Sequence, residues 1–265
     1  MSIPKTIHYC WFGRNPKPKL AEKCIKSWRK YCPDYEIIEW NEDNFDISAA
    51  PLYVRQAYDA KRWAFVTDYV RLKIVYDNGG IYLDTDVELK KNLDFLLVNR
   101  AFFGFEDGKY IATGLGFGAE KGAQILLEIM EDYHNIPFLL EDGSCDLTPC
   151  PKRNTKVLLC HGLLQNNSKQ QLEGDILILP TSYLCPIDYL TKKRNFTEDT
   201  VSIHWFDASW QTKEEYEQEK RYAREYLWYQ RVEAVKRVVR RIIGDAKYQA
   251  IKKIVKGGCA EDGED

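Results

Sequence analysis

At 265 residues, with 45% hydrophobic and 29% charged side chains, the chain is long enough for one substantial α/β domain or two small ones. It is neither a stapled miniprotein nor a disordered or low-complexity chain. Its 38 basic and 40 acidic residues leave a formal charge of -2, with no global signature of nucleic-acid binding.

The first predicted strand covers 5–12, where Thr6, Ile7, Tyr9, Trp11 and Phe12 supply β-branched and aromatic residues ahead of a breaker from Gly13 to Pro18. Leu20, Cys24 and Trp28 recur at helical spacing, Ala21 and Ile25 widen the stripe, and Pro33 ends that helix. A strand over 35–40 is followed by helices over 51–60 and about 62–77, the second packing through Ala64, Val66, Val70, Ile74 and Tyr76. Asn78-Gly79-Gly80 stops that helix and turns the chain into an apolar strand, Ile81 to Leu83, which emerges into a run of acids. Further strands are predicted at 101–105, 111–118, 175–180 and 201–206, with helices near 121–133 and 153–165. Such alternation points to a mixed sheet covered by helices.

From 212 onward the sequence reads as helical and charged. Between Lys220 and Lys256 twelve Lys or Arg stand against three acids, and Val232, Val235, Val238, Val239, Ile242 and Ile243 recur at spacings of three and four. The expected division is one domain over 1–211, a basic helical extension over 212–256 and a disordered acidic tail over 257–265. Apolar runs such as Ile176 to Leu179 fall far short of the roughly 20 residues that cross a bilayer. Met1 to His8 lacks a basic region followed by an apolar run, so signal-peptide export is not expected. Eight cysteines without a Cys-x-x-Cys pair or zinc-finger spacing read as reduced, mostly buried side chains of a cytosolic protein.

In Ile81-Tyr82-Leu83-Asp84-Thr85-Asp86 a period of two places Tyr82, Asp84 and Asp86 on one side of a strand end. Two such carboxylates repel unless something positive sits between them, and a hard divalent cation meets that need while leaving positions for phosphate oxygens. A bare Asp-x-Asp also reads as a solvated acidic turn. On the preceding helix Asp68 and Arg71 share a face at i and i+3. They are suited either to a phosphate and sugar hydroxyls or to a local surface ion pair. His8, His134 and His161 read as packing residues.

The run Trp63 to Arg71, followed by Asn78-Gly79-Gly80-Ile81-Tyr82-Leu83-Asp84-Thr85-Asp86, resembles the signature of DXD-motif sugar transferases. That glycosyltransferase family 32-like group includes capsule-synthesis enzymes, initiating mannosyltransferases and, more distantly, clostridial toxin glucosyltransferases. Ile3 to Gly13 resembles the family's opening strand, and His204-Trp205-Phe206-Asp207-Ala208-Ser209-Trp210 its closing motif.

The resemblance implies a GT-A type (Rossmann-like) α/β domain with a mixed sheet. It also implies a nucleotide-sugar co-substrate, Mn²⁺ or Mg²⁺, and transfer of a hexose with retention to a saccharide or lipid-linked oligosaccharide, as in surface polysaccharide synthesis. A UDP-hexose is favoured as donor. By position, Asp86 would ligate the metal, Asp84 would act through water or on ribose and sugar, and His204 would complete the metal site, with Asp207 as its rival. Asp68 and Arg71 would hold the donor sugar, Tyr82 would line its pocket, Trp11 would stack on the base, and Ser209 and Trp210 would steady the diphosphate. Asp84, Asp86 and Arg71 would thus carry catalysis. Thr113 to Gly118 resembles the family's small-residue strand beside the donor sugar, without the usual Asn-Gly at its start.

The basic helix has two readings: packed on the domain with a solvated face, or drawn to anionic lipid at about 1 kcal/mol per basic residue. The expected location is the cytoplasm, with the second reading adding a peripheral contact at the inner membrane face. A haloacid-dehalogenase-like phosphotransferase also uses Asp-x-Asp, but there the motif opens the domain and is followed by Thr or Val, whereas here Glu88 holds that place. A non-catalytic nucleotide- or glycan-binding module is the third class, disfavoured by the intact set Asp68, Arg71, Asp84 and Asp86.

Overall fold

The structure is a computed structural model that describes residues 3–207, 213–244 and 247–248. The chain divides into two compact units, Met1–Trp210 and Gln211–Asp265.

In the first unit, β1 (Thr6–Cys10) is followed by the amphipathic α1 (Lys19–Tyr31), which buries Ala21, Cys24, Ile25 and Trp28. Glu22 in its first turn and Arg29 and Lys30 in its last complement the helix dipole. Next come β2 (Glu36–Trp40), α2 (Leu52–Asp59) and α3 (Trp63–Asn78). α3 buries residues all round its circumference, among them Phe65, Val66, Tyr69, Val70, Leu72, Ile74 and Val75. It packs on β1 and β3 on one side and on α2 and α4 on the other, so no single apolar stripe could describe it. Ala64 and Tyr76, expected in its core face, are only half-buried.

The remaining elements are β3 (Gly80–Tyr82), β4 (Val87–Leu89), β5 (Ala101–Gly104), β6 (Phe117–Ala119), α4 (Gln124–His134), α5 (Cys150–Cys160), β7 (Gln170–Leu172), β8 (Ile176–Leu179), α6 (Thr181–Leu184) and β9 (Ser202–His204). The strand expected over 111–118 shrinks to β6, because Gly114 and Gly116, the latter at φ +122°, carry the chain out of the ladder. α5 begins three residues before the expected 153, behind Pro149, and stops at Cys160, ahead of Gly162 at φ +85°.

Seven strands form one sheet in the order β2-β1-β3-β6-β5-β8-β7. The pairings make β1, β2, β3, β5 and β8 run one way and β6 and β7 the other. Successive residues feed opposite cores: Ile81, Phe102, Leu177 and Leu179 enter one cluster, while Tyr82, Phe103, Ile176 and Ile178 enter the other. Both faces are covered, which is why these strands read as continuous apolar runs. This is the mixed-sheet α/β fold expected of a GT-A domain. β4 and β9 pair separately as a two-stranded antiparallel ribbon.

His8 is buried, held by the Gly79 carbonyl at 2.9 Å and the Trp40 indole N–H at 3.0 Å, in the structural role expected of it. The seven described cysteines are all free. The second unit contributes α7 (Lys213–Ile243), which ends at Gly244 with φ +82°. The helix expected further on, to 256, lies largely outside the described residues, as does the acidic tail. No described helix is long and apolar enough to cross a membrane.

Candidate active site

The parallel strands β1, β2, β3, β5 and β8 point their C-terminal ends to one rim of the sheet, where open α/β sheets place ligands. β3 ends at Tyr82, and the acids follow it. The alternation expected of a strand carries only as far as Asp84, whose Oδ1 accepts from the Tyr82 hydroxyl at 2.8 Å. Asp86 is placed by a turn instead, in which the Val87 amide donates to the Asp84 carbonyl at 3.0 Å. The chain then enters β4, which is held by the Trp28 indole N–H donating to the Val87 carbonyl at 2.7 Å. β9 pairs with β4 so that Val87 stands opposite His204. This ribbon returns the closing motif to the acidic turn.

The result is a group of three, Asp84, Asp86 and His204, whose ligand atoms all lie within 4.8 Å of one another. His204 Nε2 is 3.2 Å from Asp86 Oδ1, and its buried Nδ1 has no hydrogen-bond partner among the described residues. Burial alone would lower the His204 pKa, but the Asp86 carboxylate outweighs it and holds the value well above the ordinary one. Burial would likewise raise Asp86. His204 and the Asp207 amide, which donates to Asp86 Oδ2 at 2.9 Å, bring it below the usual range. Burial keeps Asp84 raised, with Arg71 opposing and Asp86 reinforcing. Two carboxylates and one imidazole whose ligand atoms lie this close can hold a divalent cation. Asp207 offers its backbone here, and its carboxylate is outside the group of three.

Asp68 and Arg71 are not a surface pair. Both are buried, and the Arg71 guanidinium donates to Asp68 Oδ1, to Asp84 Oδ2 at 3.3 Å and to the Thr67 carbonyl at 3.0 Å. Burial opposes its charge, yet the flanking Asp84 and Asp68 keep its pKa well above the usual value. A Cβ on Gly114 would collide with the Asp84 carboxylate and lie 2.9 Å from Arg71 Nη1, so a glycine is what lets the 113–118 segment reach the site. Glu88, the residue that bears on the phosphotransferase reading, is paired with Lys23 at 2.7 Å and Lys90 at 2.6 Å and bonded to the Trp205 indole at 3.0 Å.

Trp11 follows β1 onto the same rim, half-buried, with its indole N–H donating to the Asn15 carbonyl at 2.6 Å and Lys17 Nζ 5.8 Å from its ring. Beyond β1 and β2 opens a cleft of about 590 Å³ lined by Glu42, Asp43, Phe45, Asp46 and Tyr58. The sequence reading missed this cleft. Glu42 Oε1 accepts from the Gly13 amide at 2.7 Å, and its Oε2 is buried without a partner among the described residues. Ser209 and Trp210 lie outside the described residues.

An α/β sheet that gathers an Asp-x-Asp turn, a buried Arg–Asp pair and a histidine at one rim is the arrangement expected of the DXD-motif glycosyltransferase class. Residues 18–103 match the family described as "Glycosyltransferase sugar-binding region containing DXD motif". The chain is 32% identical over 141 residues to inositol phosphoceramide mannosyltransferase 3 of Schizosaccharomyces pombe, covering 52% of this chain and 39% of that protein. It therefore spans about two fifths of that relative's length. It is 26% identical over 219 residues to the uncharacterized glycosyltransferase L373 of Acanthamoeba polyphaga mimivirus, covering 78% of this chain and 84% of the viral protein. Among solved structures, the PaToxG glycosyltransferase is similar at 18% identity and a TM-score of 0.46, covering 60% of this chain and 70% of its own. The resemblance read from the sequence is borne out by the family model and by the two curated relatives, each named a mannosyltransferase or glycosyltransferase.

Proposed function

We propose that the chain is a metal-dependent retaining hexosyltransferase that uses a nucleotide diphosphate sugar, with Asp84, Asp86 and His204 holding Mn²⁺ or Mg²⁺. The observation that carries this reading is the convergence of those three side chains beside the buried Arg71. A cation held by these three residues would supply positive charge beside the diphosphate leaving group. Arg71 stays charged in its pocket and adds a fixed donor fork toward the sugar phosphate, Asp68 orients that fork, and Tyr82 fixes the Asp84 carboxylate. Trp11 stacks on the base next to the first cleft, while Ser209 and Trp210 donate to the leaving group. In the transfer, the acceptor oxygen bonds to the anomeric carbon as the bond to phosphate breaks. The electron pair leaves with the diphosphate, and the hydroxyl proton passes to its oxygen.

The preferred donor is a UDP-hexose, and a mannosyl donor belongs beside it because a relative is named a mannosyltransferase. The acceptor is a saccharide or lipid-linked oligosaccharide of surface polysaccharide synthesis. The domain over 1–211 does the chemistry, and the basic extension over 212–256 docks it on an anionic inner membrane face from the cytoplasm. Thermal melting and nucleotide release are to be measured with UDP-glucose, UDP-galactose and GDP-mannose in the presence of Mn²⁺. One donor should raise the melting temperature and release its nucleotide, and Asp86→Ala should abolish both. No response to any donor under any metal would defeat the reading.

A further inference from the structure

The sheet order distributes the rim. β2 and β1 lie on one side of β3, and β5 and β8 on the other, beyond the antiparallel β6. The first cleft lies past β1 and β2, the acidic turn past β3. Past β5 and β8 lies a second cleft of about 320 Å³, to which Glu106 follows from β5 and Thr181 from β8, with Asn167, Cys185, Asp188 and Asn195 completing much of the wall.

This cleft adjoins the catalytic group. The segment that leads to Cys185 is tied to β9, where Ser202 Oγ donates to the Leu184 carbonyl at 3.1 Å, and Glu106 lies within electrostatic reach of His204, Asp84 and Arg71. Most polar groups of the wall are engaged. Asn167 and Thr181 bond each other at 3.0 and 2.8 Å, and Asp188 Oδ1 accepts from the amide and hydroxyl of Thr191, both at 2.6 Å. Asp107 accepts the amides of Lys109 and Tyr110 at 3.0 and 2.9 Å. The half-buried Glu106 carboxylate differs, for it has no hydrogen bond or ion pair among the described residues. A carboxylate in that position is stabilised by a donor arriving from a ligand. Glu106, Asp107 and Asp188 face a single ammonium in the wall, Lys193, so a phosphate or carboxylate on the ligand would be repelled.

We propose that the second cleft binds the acceptor as an uncharged, hydroxyl-rich sugar, and that Glu106 accepts a hydrogen bond from its hydroxyl next to the metal-binding group. The inference rests on the transferase reading and adds the chemical class of the acceptor and the residue that meets it. The first cleft and the second then hold the two substrates on opposite sides of the Asp84 to Asp86 turn.

The test uses the full chain with Mn²⁺ and the donors above, and methyl α-mannoside, methyl β-galactoside and lactose against mannose 6-phosphate and glucuronic acid. Neutral sugars should accept the hexose, or slow donor hydrolysis by displacing water, and the charged ones should do neither. Glu106→Gln should raise the acceptor KM about tenfold, the loss of one charge-assisted hydrogen bond, with the donor-induced rise in melting temperature retained. Asn195→Ala, on the exposed wall, should raise it less. An unchanged acceptor KM in Glu106→Gln, a preference for the charged sugars, or no effect of any neutral sugar while donor is turned over would each overturn the acceptor assignment alone. A parent protein that binds and hydrolyses no donor would remove the transferase reading and this inference with it.

Discussion

Arg71 joins the structural and chemical halves of the site, because one guanidinium serves Asp68, Asp84 and the Thr67 carbonyl. Removing it strands a buried carboxylate, Asp68, as well as the donor fork. Arg71→Ala should therefore cost about 3–5 kcal/mol in urea denaturation, the range for breaking a buried pair from one side. Arg71→Lys keeps the charge but not the planar fork, and should unfold at an intermediate urea concentration while still losing donor turnover. A loss below about 1 kcal/mol in the alanine variant would place Arg71 among exposed ion pairs instead. Gly114 makes the complementary argument by what it lacks. Gly114→Ala drives a methyl into the Asp84 carboxylate. It should cost about 1–3 kcal/mol as overpacking, and Mn²⁺ titration should show weaker binding than in the parent.

The α3, Gly79-Gly80 and β3 unit depends on backbone shape that only glycine supplies cheaply. Gly80 has φ +109°, and a Cβ there would sit 2.8 Å from the Thr6 carbonyl and 2.9 Å from His8 Nε2. His8 is held neutral against this turn: burial lowers its pKa below 6.5, with the Gly79 carbonyl and Glu36 only partly offsetting. The unfolded chain takes up that proton near pH 6.5 and the folded chain only at lower pH. The contribution is therefore complete above pH 6.5 and is lost as pH falls below it, at up to about 1.4 kcal/mol per pH unit. Urea midpoints between pH 7 and 5 should fall less steeply in His8→Gln than in the parent, and equal slopes would reject this source. This unit was legible in the sequence because helix, Gly-Gly stop and apolar strand agree locally. β6 was not, since its boundaries depend on Gly114 and Gly116 approaching Asp84 and Leu83 from another element. The position of Asp86 beside Asp84 was expected from strand alternation, whereas a turn provides it.

Joining His204 to the acidic turn required the β4–β9 ribbon, a pairing between distant segments that periodicity along either one cannot reveal. The same holds for both clefts, which follow from the strand order and not from any motif. In contrast, the basic character of α7 is wholly local. Trp228, Val232, Val235, Val239 and Ile242 fall on one stripe at helical spacing, Trp228 and Ile242 being 67% and 76% exposed, with Arg237, Arg240 and Arg241 off that stripe. Such a helix should bind anionic bilayers through apolar insertion plus about 1 kcal/mol per basic residue close to the surface. The full chain should sediment with vesicles containing phosphatidylserine, bind phosphatidylcholine vesicles weakly, and be released as salt shortens the screening length. A chain ending at 211 should stay in the supernatant and still melt at a higher temperature with donor and Mn²⁺. If the full chain ignores anionic vesicles at low salt while its donor response is intact, the basic helix serves the fold and not a membrane.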